Sequence, residues 1–267
     1  MPLCITGMHR SGTSMIANIL HVCGLDLGPE KELLPPAPDN PQGFWENRSF
    51  LKLNDAILKE LGGEWDRPAG LDAVGWEDEP RFHRFHNQAR KLVRRFPGRE
   101  PWGWKDPRNC LTLPLWNKVV PEMRVLLCVR NPLAVAESLR AREGMSLAAS
   151  FDLWLTYNRC ALSAMPAERR IVTLCESYFI DPHAELQRVL GQCGLAASEQ
   201  TIEHACVQIN PSLVHHRTAV DELSKAGASD ELVKCYLNLR ELAHPLSAQS
   251  SLPSREVASR PRCLAET

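Results

Sequence analysis

The feature that most constrains this chain is a short apolar run, broken by a glycine turn and followed at once by a helical pattern. Pro2-Leu3-Cys4-Ile5-Thr6 reads as a buried strand ending at Gly7. The polar turn Met8-His9-Arg10-Ser11-Gly12 leads into Thr13-Ser14-Met15-Ile16-Ala17-Asn18-Ile19-Leu20, where apolar residues recur at helical spacing. A strand feeding a helix through such a turn gathers backbone N–H groups at the helix N-terminus, where the dipole favours an anion. The segment predicts an α/β unit with a phosphate-binding turn.

The rest of the chain extends that pattern. Pro29 to Pro41 reads as a loop with five prolines, and Glu46 to Leu61 as a helix stopped by Gly62-Gly63. Residues 64–79 read as loop and Pro80 to Phe96 as a basic amphipathic helix. Pro101-Trp102-Gly103-Trp104-Lys105 is a strand, with helix-start chemistry in Asp106-Pro107. Arg124 to Val129 is a continuous apolar run, the kind buried on both faces of a parallel sheet. Asn131-Pro132 opens a helix to about Arg142, a second helix spans about Ser146 to Met165, and Arg170 to Leu174 is another strand. Helices continue to about residue 243, and the Ser-, Pro- and Arg-rich tail from Ser247 has the composition of a disordered segment. Strands alternating with helices predict an α/β fold, a three-layer sandwich with a mostly parallel central sheet flanked by helices.

Composition narrows the classes without choosing among them. A chain of 267 residues with 44% apolar and 24% charged residues is an ordinary globular protein. Its formal charge of −1 advertises neither nucleic acid nor an anionic membrane. The neutral total hides an acidic stretch, 13 Asp/Glu against 5 Lys/Arg over residues 21–80, and a basic one, 9 Lys/Arg against 2 acids over 81–108. Solvated helical faces account for such runs, Arg94-Arg95 among them. The ten cysteines form no CxxC pair and no metal spacing, as expected in a reducing compartment. With no leader-like start and no apolar run approaching the ~20 residues of a membrane span, a soluble cytoplasmic protein is expected.

The turn Gly7-Met8-His9-Arg10-Ser11-Gly12-Thr13-Ser14 nearly fits G-x-x-x-x-G-K-[ST], but Thr13 stands where the lysine belongs. Arg10 supplies a cation earlier in the loop, and the strand at 125–129 runs into Arg130 rather than a Mg²⁺-holding Asp. A phosphate loop with a relocated cation and no metal carboxylate points to a nucleotide whose reaction needs no Mg²⁺.

Arg10-Ser11-Gly12-Thr13-Ser14 resembles the 5′-phosphosulfate loop of sulfotransferases that use 3′-phosphoadenosine-5′-phosphosulfate (PAPS). A second signature of that family, a strand followed by Arg and a Ser eight positions later, is matched by Arg130 and Ser138. Roughly residues 1–195 carry the resemblance, which implies a P-loop-like fold, PAPS as co-substrate, and Arg130 with Ser138 gripping its 3′-phosphate. Gly43-Phe44-Trp45-Glu46-Asn47 and Trp104-Lys105-Asp106-Pro107-Arg108 resemble segments of the bacterial and carbohydrate- or tyrosyl-acting branches. They imply Glu46 as general base and Lys105 as a cation for the transferring sulfuryl group. Two departures stand out. Where many members read Tyr-Glu-Asp-Leu, this chain reads Cys175-Glu176-Ser177-Tyr178, and no Arg-Lys-Gly segment is present, leaving His215-His216-Arg217 as a substitute.

Blander roles compete. Thr13 and Ser14 could cap their helix, Lys105 could form a structural ion pair with Asp106 or another acid, and Asp106 is a second candidate base. His9 reads as a packing or hydrogen-bonding residue beside Arg10, and at least half of Trp45, Trp65, Trp76, Trp102 and Trp104 as core rather than cleft. The expected protein is one domain over 1–246, with 62–101 and 196–246 on the acceptor side, moving a sulfuryl group to a hydroxyl-bearing small molecule or glycan. A P-loop nucleotide kinase-like transferase and a catalytically inactive nucleotide- or partner-binding domain are the rivals.

Overall fold

A computed structural model describes residues 1–37, 40, 43–71, 75–96, 101–209 and 220–244. Four strands, β1 (Leu3–Thr6), β2 (Gly103–Lys105), β3 (Arg124–Val129) and β4 (Arg170–Leu174), form one sheet in the order β2-β1-β3-β4. Every pairing is parallel, with Leu3 opposite both Gly103 and Arg124, and Val125 opposite Arg170. The chain runs from β1 outward to β2, then crosses back to β3 on the other side of β1. Parallel sheets bind ligands outside the carboxyl ends of strands at such a reversal.

Alternation along the strands builds two cores. Val125, Leu127 and Val129 face one side with Cys4, while Leu126 and Cys128 face the other with Leu3 and Ile5. The first side is covered by α2 (Arg48–Glu60), α3 (His83–Val93), α4 (Asn109–Val119), α5 (Pro132–Glu143), α6 (Leu147–Ala164) and α10 (Asp230–Ala243). The second is covered by α1 (Thr13–Val22), α7 (Pro182–Cys193) and α8 (Glu199–Val207). A short helix α9 (Val220–Lys225) precedes α10. This is the three-layer α/β sandwich expected.

Boundaries differ from the periodicity in places that matter. The helix expected from Glu46 begins at Arg48, because the Asn47 side chain accepts from the Ser49 amide at 3.0 Å and caps it. The basic helix expected from Pro80 opens as a 3₁₀ turn over Pro80–Phe82 before α3. Asp106 does not cap α4; its Oδ1 accepts from the Arg108 amide at 2.9 Å, in a turn ahead of the helix. Trp76, Trp102 and Trp104 are core, Trp102 stacking on Phe96 and Trp104, and Trp45 and Trp65 stay partly exposed. The expected tail from Ser247 and His215-His216-Arg217 lie outside the described residues. No described helix is long and apolar enough to cross a membrane.

Candidate active site

The turn after β1 is built by close approach. A Cβ on Gly7 would lie 2.2 Å from the Cys128 carbonyl oxygen, so only glycine lets the turn leave against β3. Gly12 has φ +81° and precedes α1 directly; a Cβ there would lie 2.6 Å from the Cys175 sulfur. No side chain caps α1, whereas Asn47, Asn131, Ser146, Asp181, Ser198 and Ser229 cap α2, α5, α6, α7, α8 and α10. Thr13 and Ser14 therefore do not serve as caps, and the first amides of α1 have no side-chain partner among the described residues. The Ser11 hydroxyl is buried with no hydrogen-bond partner. A glycine cradle, an uncapped helix N-terminus and an orphaned hydroxyl fit the phosphate of a nucleotide.

The residues singled out in the sequence fall into two linked groups. In the first, Arg10 Nε donates to Ser138 Oγ at 2.8 Å, and the Arg130 guanidinium donates to the Arg10 carbonyl at 3.2 Å. Arg130 leaves the end of β3, and Ser138 lies nearly two turns into α5. The turn thus meets both residues of the second signature.

In the second group, Lys105 at the end of β2 donates to Glu46 Oε1 at 2.6 Å, to the Phe44 carbonyl at 3.0 Å and to Ser14 Oγ at 3.1 Å. Ser14 in turn donates to the Phe44 carbonyl at 3.2 Å. Lys105 and Glu46 are 2% and 5% exposed, so their ion pair is held largely out of water. The other Glu46 oxygen, Oε2, is buried without a partner. Burial raises the Glu46 carboxyl above its ordinary range, and the Lys105 ammonium offsets part of that rise. Through Ser14, this lysine from the neighbouring strand reaches the first turn of α1.

Asp106 is spent elsewhere. Its Oδ2 accepts from Asn54 at 2.9 Å and its Oδ1 from the Arg108 guanidinium at 3.1 Å, tying α2 to the start of α4. Lys105 pairs with Glu46 rather than with Asp106.

Backbone strain marks the same region. Among the described residues, the non-glycine positions at positive φ are Arg10 (+69°) and Trp45 (+65°), the latter directly before Glu46. Such conformations cost about 1–3 kcal/mol each and persist where the surroundings fix them. His9, half-buried, packs its ring 4.5 Å from Trp65 and 5.9 Å from Tyr157, with Nε2 shielded and unpartnered. Burial holds this imidazole well below its usual pKa, and Arg108, Lys105, Arg142 and Arg10 add to the effect. The packing role expected of His9 is the one observed, with aromatic neighbours drawn from distant segments.

The family model described as Sulfotransferase family matches residues 2–199. The chain belongs to the sulfotransferase family. Among solved structures, it is similar to the sulfotransferase domain of the Synechococcus PCC 7002 olefin synthase. Identity there is 16%, 90% of this chain and 94% of that one are covered, and the TM-score is 0.55. A sulfotransferase from Mycobacterium tuberculosis H37Rv shares 16% identity over 87% of this chain and 75% of that one, with a TM-score of 0.46. One from Alicyclobacillus acidocaldarius shares 16% identity over 93% and 98%, with a TM-score of 0.45. No curated protein matches the chain. At such identities the structural likeness speaks for the fold alone, and the family assignment rests on the matched segment.

Proposed function

We propose that this sulfotransferase-family protein transfers the sulfuryl group of PAPS to a hydroxyl acceptor, a carbohydrate being the favoured class. The observation that carries the proposal is the meeting of Arg10, Ser14, Glu46, Lys105, Arg130 and Ser138 around one uncapped helix N-terminus. PAPS would bring a sulfuryl group activated on a 5′-phosphate, with a 3′-phosphate as a handle. Ser11, Gly12, Thr13 and Ser14 take the 5′-phosphosulfate with Arg10, while Arg130 and Ser138 take the 3′-phosphate. Arginine suits that role because its planar fork matches phosphate oxygens.

The reaction balances as an in-line displacement. The acceptor oxygen forms a bond to sulfur, its proton passes to Glu46 Oε2, and the bond from sulfur to the 5′-phosphate oxygen breaks. Adenosine 3′,5′-bisphosphate leaves with that electron pair. A free alcohol is too weak an acid to be ionised first, so proton transfer accompanies bond formation, a contribution of roughly 10²–10⁴-fold. Arg10 and Lys105 would stabilise charge developing on the sulfuryl oxygens and the departing phosphate, Lys105 exchanging its Ser14 or Phe44 contact for one to the ligand. Asp106, with both oxygens engaged, is the poorer base. Residues 62–101 and 196–246 are assigned to the acceptor side of a domain spanning 1–246, with partly exposed Trp65 as the indole available for stacking.

The proposal is tested with labelled PAPS and a panel of sugars, phenols and peptides, reading label transfer and a mass gain of one sulfuryl group. Transfer to a hydroxyl is expected. Bisphosphate binding with no transfer to any acceptor would favour an inactive binding domain, and Mg²⁺-dependent ATP binding would favour the kinase-like rival.

A further inference from the structure

The peptide unit joining Arg130 to Asn131 is held at both of its polar ends. Its carbonyl, on Arg130, accepts from the Trp154 indole N–H at 3.2 Å. Its N–H, on Asn131, donates to Glu176 Oε1 at 2.8 Å. Trp154 comes from α6 and Glu176 from the 3₁₀ turn Cys175–Phe179 after β4, so separate elements grip a single peptide plane. Fixing that plane sets where the Arg130 side chain leaves β3 and where α5 begins. Asn131 then caps α5 through its side chain, at 2.9 Å from the Leu133 amide, and α5 carries Ser138.

The clamp has its own backing. Tyr236 of α10 lies edge-on to Trp154, ring centroids 6.0 Å apart, and also reaches the Asn131 side chain. Burial pushes its phenol up to about 12, so it stays neutral. This helix lies beyond residues 2–199, the segment matched to the family. Glu176 meets this segment at the backbone, through the Asn131 amide.

We propose that Glu176 and Trp154 are positioning residues for the donor's 3′-phosphate, clamping the Arg130–Asn131 peptide so that Arg130 and Ser138 face the same anion. The inference rests on the proposed PAPS reading of the site. It predicts an effect confined to ligands that carry a 3′-phosphate, which a general structural role would not produce.

The test is calorimetry on the full chain with two probes, adenosine 3′,5′-bisphosphate and AMP, which lacks the 3′-phosphate. Wild type should bind the bisphosphate more tightly. Glu176→Ala should weaken the bisphosphate about tenfold, the scale of a lost charge-assisted hydrogen bond, and leave AMP within about twofold. Glu176→Gln retains an oxygen for the Asn131 amide and should restore most of the loss. Should Glu176→Ala fail to fold, Trp154→Phe removes the indole N–H while keeping a ring, and should show the same selective loss. Unchanged bisphosphate affinity in the folded variants, equal losses for both probes, or no rescue by glutamine would overturn the clamp and leave the donor reading standing. A wild-type protein that fails to prefer the bisphosphate would overturn the donor reading and this inference with it.

Discussion

Lys105 and Glu46 are each unfavourable alone inside the protein, and together they make a polarised pair with one spare oxygen. A buried ion pair gains little net stability, because desolvation offsets most of the attraction. Its value here is placement. Glu46→Gln should therefore lower turnover by roughly 10²–10⁴-fold while leaving bisphosphate affinity nearly unchanged, as measured by initial rates and calorimetry. The carboxyl is raised above its ordinary 4.5, and only its ionised form accepts a proton. Activity should fall as pH drops through that raised value, placing the acid limb above the usual glutamate range, and the limb should vanish in Glu46→Gln. His9 runs the other way. Its folded pKa lies below the ordinary 6.5, so the folded state resists the proton that the unfolded chain accepts. Its contribution to stability is fully present above about 6.5 and is lost as pH falls from there towards the depressed value. Denaturant midpoints measured from pH 7.5 to 5 should drop less steeply in His9→Asn than in wild type.

At the scale of elements, the turn after β1 works because two glycines let three elements crowd together. Gly7→Ala would drive a methyl into the Cys128 carbonyl on β3, a contact with backbone that cannot swing aside. We expect a loss of up to about 3 kcal/mol in urea unfolding, with loss of bisphosphate binding. Asn131 tests the next element. Its side chain accepts from the Leu133 and Ala134 amides, and Asn131→Ala should cost about 1 kcal/mol through the lost cap. The same variant should weaken the bisphosphate, because the start of α5 sets the height of Ser138.

Across the whole molecule, the sheet reversal at β1 brings together residues from four distant segments, the glycine turn, Phe44-Trp45-Glu46, Lys105 and Arg130 with Ser138. Cys110 and Cys175 are pushed up to about 12 by burial, and none of the nine described cysteines is in a disulfide. Melting temperature should not change with added reductant, as scanning calorimetry would show. Helix α10 belongs to the same body, since Leu232, Tyr236, Leu239 and Ala243 join the core that includes Val172 and Leu174 of β4. The α/β class, the helix after Gly12, the strand at 124–129 and the glycine turn were legible from local rules, because periodicity and glycine chemistry act over a few residues. Arg10, Arg130 and Ser138 were named through short motifs of the sulfotransferase resemblance, and the fold brings the three into one hydrogen-bonded cluster. Which acid pairs with Lys105 was not legible: sequence offered Asp106 next door, and the fold selected Glu46, 59 positions away. The aromatic partners of His9 and the partners of the Arg130–Asn131 peptide were hidden likewise. Local sequence determined where the glycine turn and the helix after it would form; only the tertiary structure decided which charges share a buried space, because burial and pairing depend on neighbours that chain order does not reveal.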